Sequence, residues 1–254
     1  MIEFFNNIYN TIQIMKFYIR KLLNLIIVAP IRYILISIKK NKALRDQTIH
    51  SILWNEAVEN SAHYVKNFLN EVMLFDDKQA LWDLTIKKIE ALRDCVILEF
   101  GCYKGTSINY FATRLPNNKF YGFDSFKGLS SNWYGHHSPV GTFDLKSTLP
   151  KVTKNVDLIT GWFDKSLPVF FKNNTNLDVL FMHIDCDTYD STCTVLMNTK
   201  NLLKPGVLIL FDDYLAYPNW ENGEFLAWKE FCHQYSIKYR YIAFATEQAL
   251  IEII

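Results

Sequence analysis

Val96-Ile-Leu-Glu-Phe-Gly-Cys-Tyr-Lys-Gly-Thr-Ser107 reads as a buried strand that runs into a glycine-bearing turn and out into a helix. Gly101 lets the backbone turn tightly and approach a ligand, and Gly105 lets helix and strand pack closely. The G-x-x-x-G spacing differs from the G-x-G-x-x-G of dinucleotide-binding turns. Nor is Gly105 followed by the Lys-Ser/Thr of a phosphate loop. Asp124 stands about 20 residues further on, where a carboxylate can accept both ribose hydroxyls of an adenosine ligand.

Short apolar runs alternate with helical stretches on either side of this turn. Strands are predicted at Cys95–Phe100, Lys119–Asp124, Val156–Thr160, Leu177–Ile184 and Val207–Phe211, with a final hairpin of Ile237–Phe244 and Ala249–Ile254. Helices are expected from the turn to Arg114, then near Ser166–Lys172, Ser191–Leu203 and Phe225–Tyr235. The fold class is therefore α/β: a doubly wound, mostly parallel, seven-stranded sheet. Residues 46–92 read as a helical cap on this domain, broken at Asp76-Asp77. Ligands bind beyond the carboxyl ends of the strands in such sheets. Glu99, Gly101, Asp124, Gly161, Asp185, Asp187, Asp212 and Asp213 all fall at or just after a predicted strand end.

Five stretches carry a family resemblance: Leu98-Glu-Phe-Gly-Cys-Tyr-Lys-Gly105, Tyr121-Gly-Phe-Asp-Ser-Phe-Lys-Gly128, Gly161-Trp-Phe-Asp-Lys-Ser-Leu-Pro168, His183-Ile-Asp-Cys-Asp187 and Phe211-Asp-Asp-Tyr214. They make residues 95–254 resemble the class I S-adenosylmethionine-dependent methyltransferases, and among them the macrocin O-methyltransferase-like group that methylates sugar hydroxyls. The resemblance implies a Rossmann-like methyltransferase fold with S-adenosylmethionine as cofactor. It places that cofactor against Glu99, Gly101, Lys104, Gly105, Thr106, Ser107, Asp124, Ser125, Phe126, Gly161, Trp162 and Asp185. It also implies a metal held by Asp185, Asp212 and Asp213, with Asp185 and Asp213 as the catalytic pair. Asp187 is expected to cap the following helix with Ser191 or to support the site.

The carboxylates point to a metal on independent grounds. Asp185, Asp187, Asp212 and Asp213 follow two strands expected to be neighbours, and four such groups in one place repel one another unless a cation joins them. Oxygen-only ligands suit Mg²⁺ or Mn²⁺, and no zinc-type Cys/His spacing is present. A sugar hydroxyl is a poor nucleophile; a metal lowers its pKa and fixes its position. Asp185 is the first choice of proton acceptor, with His136 or His137 in the loop Ser130–His137 as alternatives. That aromatic loop and Tyr214–Trp220 are the expected walls of the acceptor site.

The net charge of +1 hides an asymmetry. Residues 1–45 hold eight Lys and Arg against Glu3 alone, and the rest carries 19 bases against 25 acids. The acidic body argues against nucleic acid as a partner. The leader is rich in Ile, Leu, Phe and Tyr. Pro30 and Arg32 fall inside the stretch of roughly 20 apolar residues that a membrane span needs. Two readings stay open for residues 1–45: a basic, apolar helix at the membrane interface, or helices that pack on the domain or form a homo-oligomer contact. Five cysteines without a Cys-x-x-Cys pair read as reduced thiols of a cytoplasmic protein, with a peripheral site on the inner face of the membrane if the leader binds there.

The reading is thus a sugar O-methyltransferase whose acceptor is a glycosylated small molecule or lipid-linked glycan. Two others compete. Asp185-Cys-Asp187 is an Asp-x-Asp of the kind that holds a metal and a nucleotide sugar in glycosyltransferases, but it leaves the glycine turn and Asp124 without a role. A non-catalytic scaffold would show a damaged turn or lost aspartates, and neither is seen.

Overall fold

The computed structural model describes residues 15, 16, 19–45, 48–91 and 95–254. It has two units, residues 1–52 and 53–254. In the first, a π turn at Asn24–Val28 leads into helix α1, Ala29–Arg45. Pro30 has no N–H to give the carbonyl four residues earlier, and the backbone widens just before it. Leu25, Ile26, Tyr33 and Leu35 are all more than 60% exposed. No helix among the described residues is long and apolar enough to cross a membrane. The readings that rest on residues 1–14 and on 17 and 18 lie outside the described residues.

Helix α2 (Ile49–Val65) spans the boundary and leads into the second unit. The strands there are β1 (Met73–Phe75), β2 (Val96–Phe100), β3 (Lys119–Asp124), β4 (Val156–Thr160), β5 (Val179–Ile184), β6 (Leu208–Phe211), β7 (Tyr239–Ala245) and β8 (Gln248–Ile253). They form one sheet in the order β1-β7-β8-β6-β5-β2-β3-β4. Only β8 runs antiparallel to its neighbours β6 and β7. The sheet has eight strands rather than the expected seven. The extra one lies in the segment read as wholly helical, and pairs in parallel with β7. Three residues are too few to show a period of two against the helical pattern around them.

The helices are α3 (Lys78–Glu90), α4 (Thr106–Arg114), α5 (Phe163–Asn173), α6 (Tyr189–Thr199) and α7 (Glu224–Tyr235). Asp77 caps α3 by accepting the Ala80 N–H at 2.9 Å, as its position before an apolar periodic run suggests. Two apolar layers cover the sheet, one centred on Phe100, Phe211 and Trp228, the other on Leu81, Phe111 and Phe181. All six side chains of β5 are buried, as a central parallel strand requires.

From β2 the order proceeds through β3 and β4 on one side and through β5 and β6 on the other. The chain reverses direction between β2 and β5, which opens a crevice at their carboxyl ends.

Candidate active site

At that crevice the first turn is tight. Gly101 has φ +92°, and a Cβ there would lie 1.8 Å from the Asp185 carbonyl oxygen. Glycine is required because the ends of β2 and β5 touch, and Gly101 also lines the cavity that a ligand would enter. Gly105 (φ +76°) is the N-cap of α4 in the left-handed region, with Asn109 and Pro150 nearest; its role is conformational, not helix–strand packing.

Asp124 holds this turn. Its Oδ2 accepts the N–H groups of Cys102 (2.9 Å) and Tyr103 (2.7 Å), and its Oδ1 accepts that of Phe126 (2.7 Å). A carboxylate has about four lone-pair sites, so capacity remains for a ligand hydroxyl. Around it opens a cavity lined by Gly101, Asp124, Ser125, Gly161, Trp162 and Asp185, all expected cofactor contacts. Tyr103, Leu129, Phe143, Cys186, Asp187 and Ser191 also line it. Tyr103 and Phe143 pack edge to face at 5.2 Å, and both have positive φ.

Six expected contacts do not line the cavity: Glu99, Lys104, Gly105, Thr106, Ser107 and Phe126. Glu99 is buried and faces inward, accepting the Ser107 hydroxyl at 2.8 Å and meeting His183 Nδ1 at 3.1 Å. Lys104 is exposed, and Phe126 is core. Thr106 opens α4, one residue after its Gly105 cap.

Asp185, Asp187, Asp212 and Asp213 stand at the ends of β5 and β6, but they divide into two groups. Oxygens of Asp185, Asp187 and Asp213 converge within 4.8 Å; so do ligand atoms of His183, Asp185 and Asp212. The expected trio of Asp185, Asp212 and Asp213 does not converge, because Asp212 is turned toward His183 Nε2 (3.4 Å) and accepts the Gln248 side-chain N–H. That 3.4 Å contact is an ion-pair distance short of hydrogen-bond geometry. Asp187 is not the cap of α6 either. Thr188 takes that position, with its hydroxyl donating to Ser191 Oγ at 2.9 Å, while Asp187 sits at φ +60°.

The charges follow the geometry. Burial, then the neighbouring Asp212 and Asp187, push Asp185 well above the usual carboxylate range. Burial, then Asp187 and Asp212, do the same to Asp213. Asp187 is pushed up to about 8 by burial and by Asp212 and Asp124. Asp212 goes the other way: burial pushes it up, but His183, Lys78 and Gln248 outweigh this and hold it below its ordinary value. Burial alone would depress His183, yet the carboxylates of Asp212 and Glu99 lift it well above the usual imidazole range. Among the described residues no Lys or Arg makes an ion pair with Asp185, Asp187 or Asp213. An all-oxygen, over-charged trio fits Mg²⁺ or Mn²⁺. The His183 group fits less well, since both ring nitrogens already face carboxylates, Glu99 at 3.1 Å and Asp212 at 3.4 Å.

Sequence reasoning missed Glu224. It is fully buried and accepts the N–H groups of Cys186 (2.9 Å) and Asp213 (3.3 Å), joining the two carboxylate-bearing loops. Burial raises it to about 8 although both bonds oppose this. Its one local signal is its place behind Gly223 at the start of α7. Of the loop histidines, His136 stacks on Trp133 at 4.1 Å, and neither it nor His137 lines this cavity or the neighbouring cleft. Four cysteines are buried, Cys193 is half-buried, and none is in a disulfide.

Residues 98–214 match a family described as a methyltransferase domain. Over that stretch the chain is similar to the methyltransferase domain family. Among solved structures it is similar to the calicheamicin methyltransferase CalS11, at 18% identity and a TM-score of 0.56, over 81% of this chain and 93% of that one. It is also similar to an apo structure of CalS11 described as a TDP-rhamnose 3'-O-methyltransferase, at 19% identity and a TM-score of 0.50, over 84% of this chain and 90% of that one. At these identities the likeness is one of fold. No curated protein matches the sequence.

Proposed function

We propose that the protein is an S-adenosylmethionine-dependent, metal-assisted O-methyltransferase acting on a sugar hydroxyl. One observation carries the reading: the cavity beside Gly101 and Asp124 and the oxygen trio share Asp185 and Asp187. A methyl donor in the cavity thus lies beside the groups that activate an acceptor.

In this reading Asp124 and Ser125 hold the ribose, and Trp162 borders the adenine. Asp185 and Asp213 are the firmest ligands for Mg²⁺ or Mn²⁺, which when bound lowers the acceptor hydroxyl's pKa. Asp187 lines both this cavity and the cleft next to it, so it stands where a proton leaving the acceptor would go. That shared position favours Asp187 over Asp185 as proton acceptor. Glu224 keeps the two loops in register.

Calorimetric titration with S-adenosylhomocysteine and with UDP tests the cofactor half; binding of UDP alone would turn the reading toward glycosyl transfer. Labelled methyl transfer with and without EDTA tests the metal half, and full activity in EDTA would remove the metal.

The leader is assigned to an anionic membrane surface on the cytoplasmic side. Exposed Leu, Ile and Tyr side chains and an excess of bases support this. Flotation with vesicles should show the full chain on anionic bilayers and much less on zwitterionic ones. Equal binding to neither, with a dimer in solution, would favour the oligomer reading.

A further inference from the structure

The loop from Asp212 to Tyr217 leaves β6 and carries Asp213, and its backbone is tied down residue by residue. The Asp213 N–H goes to Glu224; those of Tyr214 (2.8 Å) and Leu215 (3.1 Å) both go to the Glu247 carbonyl. The next tie comes from 155 residues earlier in the chain. The Ala216 N–H donates to Ser61 Oγ at 2.8 Å, and the Ser61 hydroxyl donates in turn to the Ala57 carbonyl at 2.7 Å. Ala216 has φ +67°, a left-handed conformation that a residue with a Cβ keeps only when its surroundings hold it there.

A second tie from the same helix reaches the side chain next to Asp213. Tyr214 is fully buried, and its hydroxyl shares a hydrogen bond of 2.6 Å with that of Tyr241. Tyr241 shares another, of 2.7 Å, with Tyr64. It also stands 3.4 Å from the Tyr239 hydroxyl, which accepts from Lys229 Nζ at 3.2 Å. A phenol has one proton to give and two lone pairs, so these three neighbours use the whole Tyr241 hydroxyl. Ser61 and Tyr64 lie one turn apart on α2, beside the buried Ala57 and Val65. That helix therefore grips the loop by its backbone and by a side chain at once. The Asp124 turn, by contrast, takes its bonds from Cys102, Tyr103 and Phe126, with none from α2.

We infer that Ser61 and Tyr64 are positioning residues for Asp213: α2 sets the place of this carboxylate by holding the Ala216 N–H directly and Tyr214 through Tyr241. The inference rests on the metal-assisted reading above. Both residues act through the loop, since no residue of α2 lines the cavity or the neighbouring cleft.

The test uses the full chain with Mn²⁺ alone, titrated by electron paramagnetic resonance, and with S-adenosylhomocysteine titrated separately by calorimetry. Ser61→Ala and Tyr64→Phe each remove one hydroxyl, and the second keeps the ring against Phe68, Trp220 and Phe225. Each should weaken Mn²⁺ binding about three- to tenfold, and the double variant further, while S-adenosylhomocysteine affinity stays within about twofold. Thr199→Val is the control for a lost buried hydroxyl, because Thr199 donates to the Val195 carbonyl within α6. It should lower the melting temperature and leave Mn²⁺ affinity alone. Unchanged Mn²⁺ affinity in both single variants would overturn the inference and leave the metal reading standing. So would a matching fall in S-adenosylhomocysteine affinity, or an equal loss of Mn²⁺ in Thr199→Val. A wild-type chain that binds no Mn²⁺ would bring down both.

Discussion

Asp124 and Asp187 are the same residue type at the carboxyl ends of parallel strands, one the last residue of β3 and the other three residues beyond β5, yet they live differently. Asp124 accepts three backbone N–H groups and holds its own turn. Asp187 lies among Asp185, Asp212 and Asp213, its pKa lifted to about 8. One side of the crevice is a satisfied cradle, shaped before any ligand arrives. The other is a concentration of carboxylates that no Lys or Arg among the described residues pairs. A carboxylate's role is thus set less by its motif than by how many donors reach it.

Four experiments press on this contrast. The largest effect belongs to the point where the two sides touch. Gly101→Val places a Cβ on the Asp185 carbonyl at a φ of +92°. It should destabilise the domain by more than about 3 kcal/mol and abolish S-adenosylhomocysteine binding, seen by thermal melting and calorimetry. Asp213→Ala attacks the charged side alone. Turnover should fall on the order of a thousandfold while cofactor affinity stays within about threefold. Asp124→Ala attacks the cradle alone: cofactor affinity should drop by roughly ten- to a hundredfold, with metal dependence of the residual activity unchanged.

The smallest effect is on stability against pH. Asp187 and Glu224 have folded pKa values near 8 against unfolded values near about 4. Between these the native state holds more protons than the unfolded chain. Their stabilising contribution is therefore complete below about pH 4 and is lost as pH rises toward about 8. Melting of the metal-free protein should fall over that window, and Mg²⁺ should flatten the fall. Asp213→Asn should raise the metal-free melting point at pH 8.

Much of this was legible beforehand, for physical reasons. Buried parallel strands announce themselves as short apolar runs, so β2 to β8 were placed to within two residues. The strand-end rule found Gly101, Asp124, Gly161 and Asp185, because backbone topology alone puts those positions in the crevice. It failed at Glu99, which lies inside the strand, where the pleat points its side chain into the core toward His183. It failed again at the division of the aspartates. What turns Asp212 away is Gln248 on β8 and His183 on β5, contacts that no local pattern encodes. Glu224 was invisible for the same reason.

The three residues of β1 have a practical consequence for anyone shortening this chain. Met73–Phe75 is the outermost rung of the sheet, and it covers the open side of β7. Removing residues 1–45 leaves that guard in place. Starting the chain at Lys78 would leave Tyr239–Ala245 as a bare, largely buried-type edge, ready to pair with another molecule. The safe cut and the sticky cut lie about thirty residues apart, and only the former asks a question about the leader.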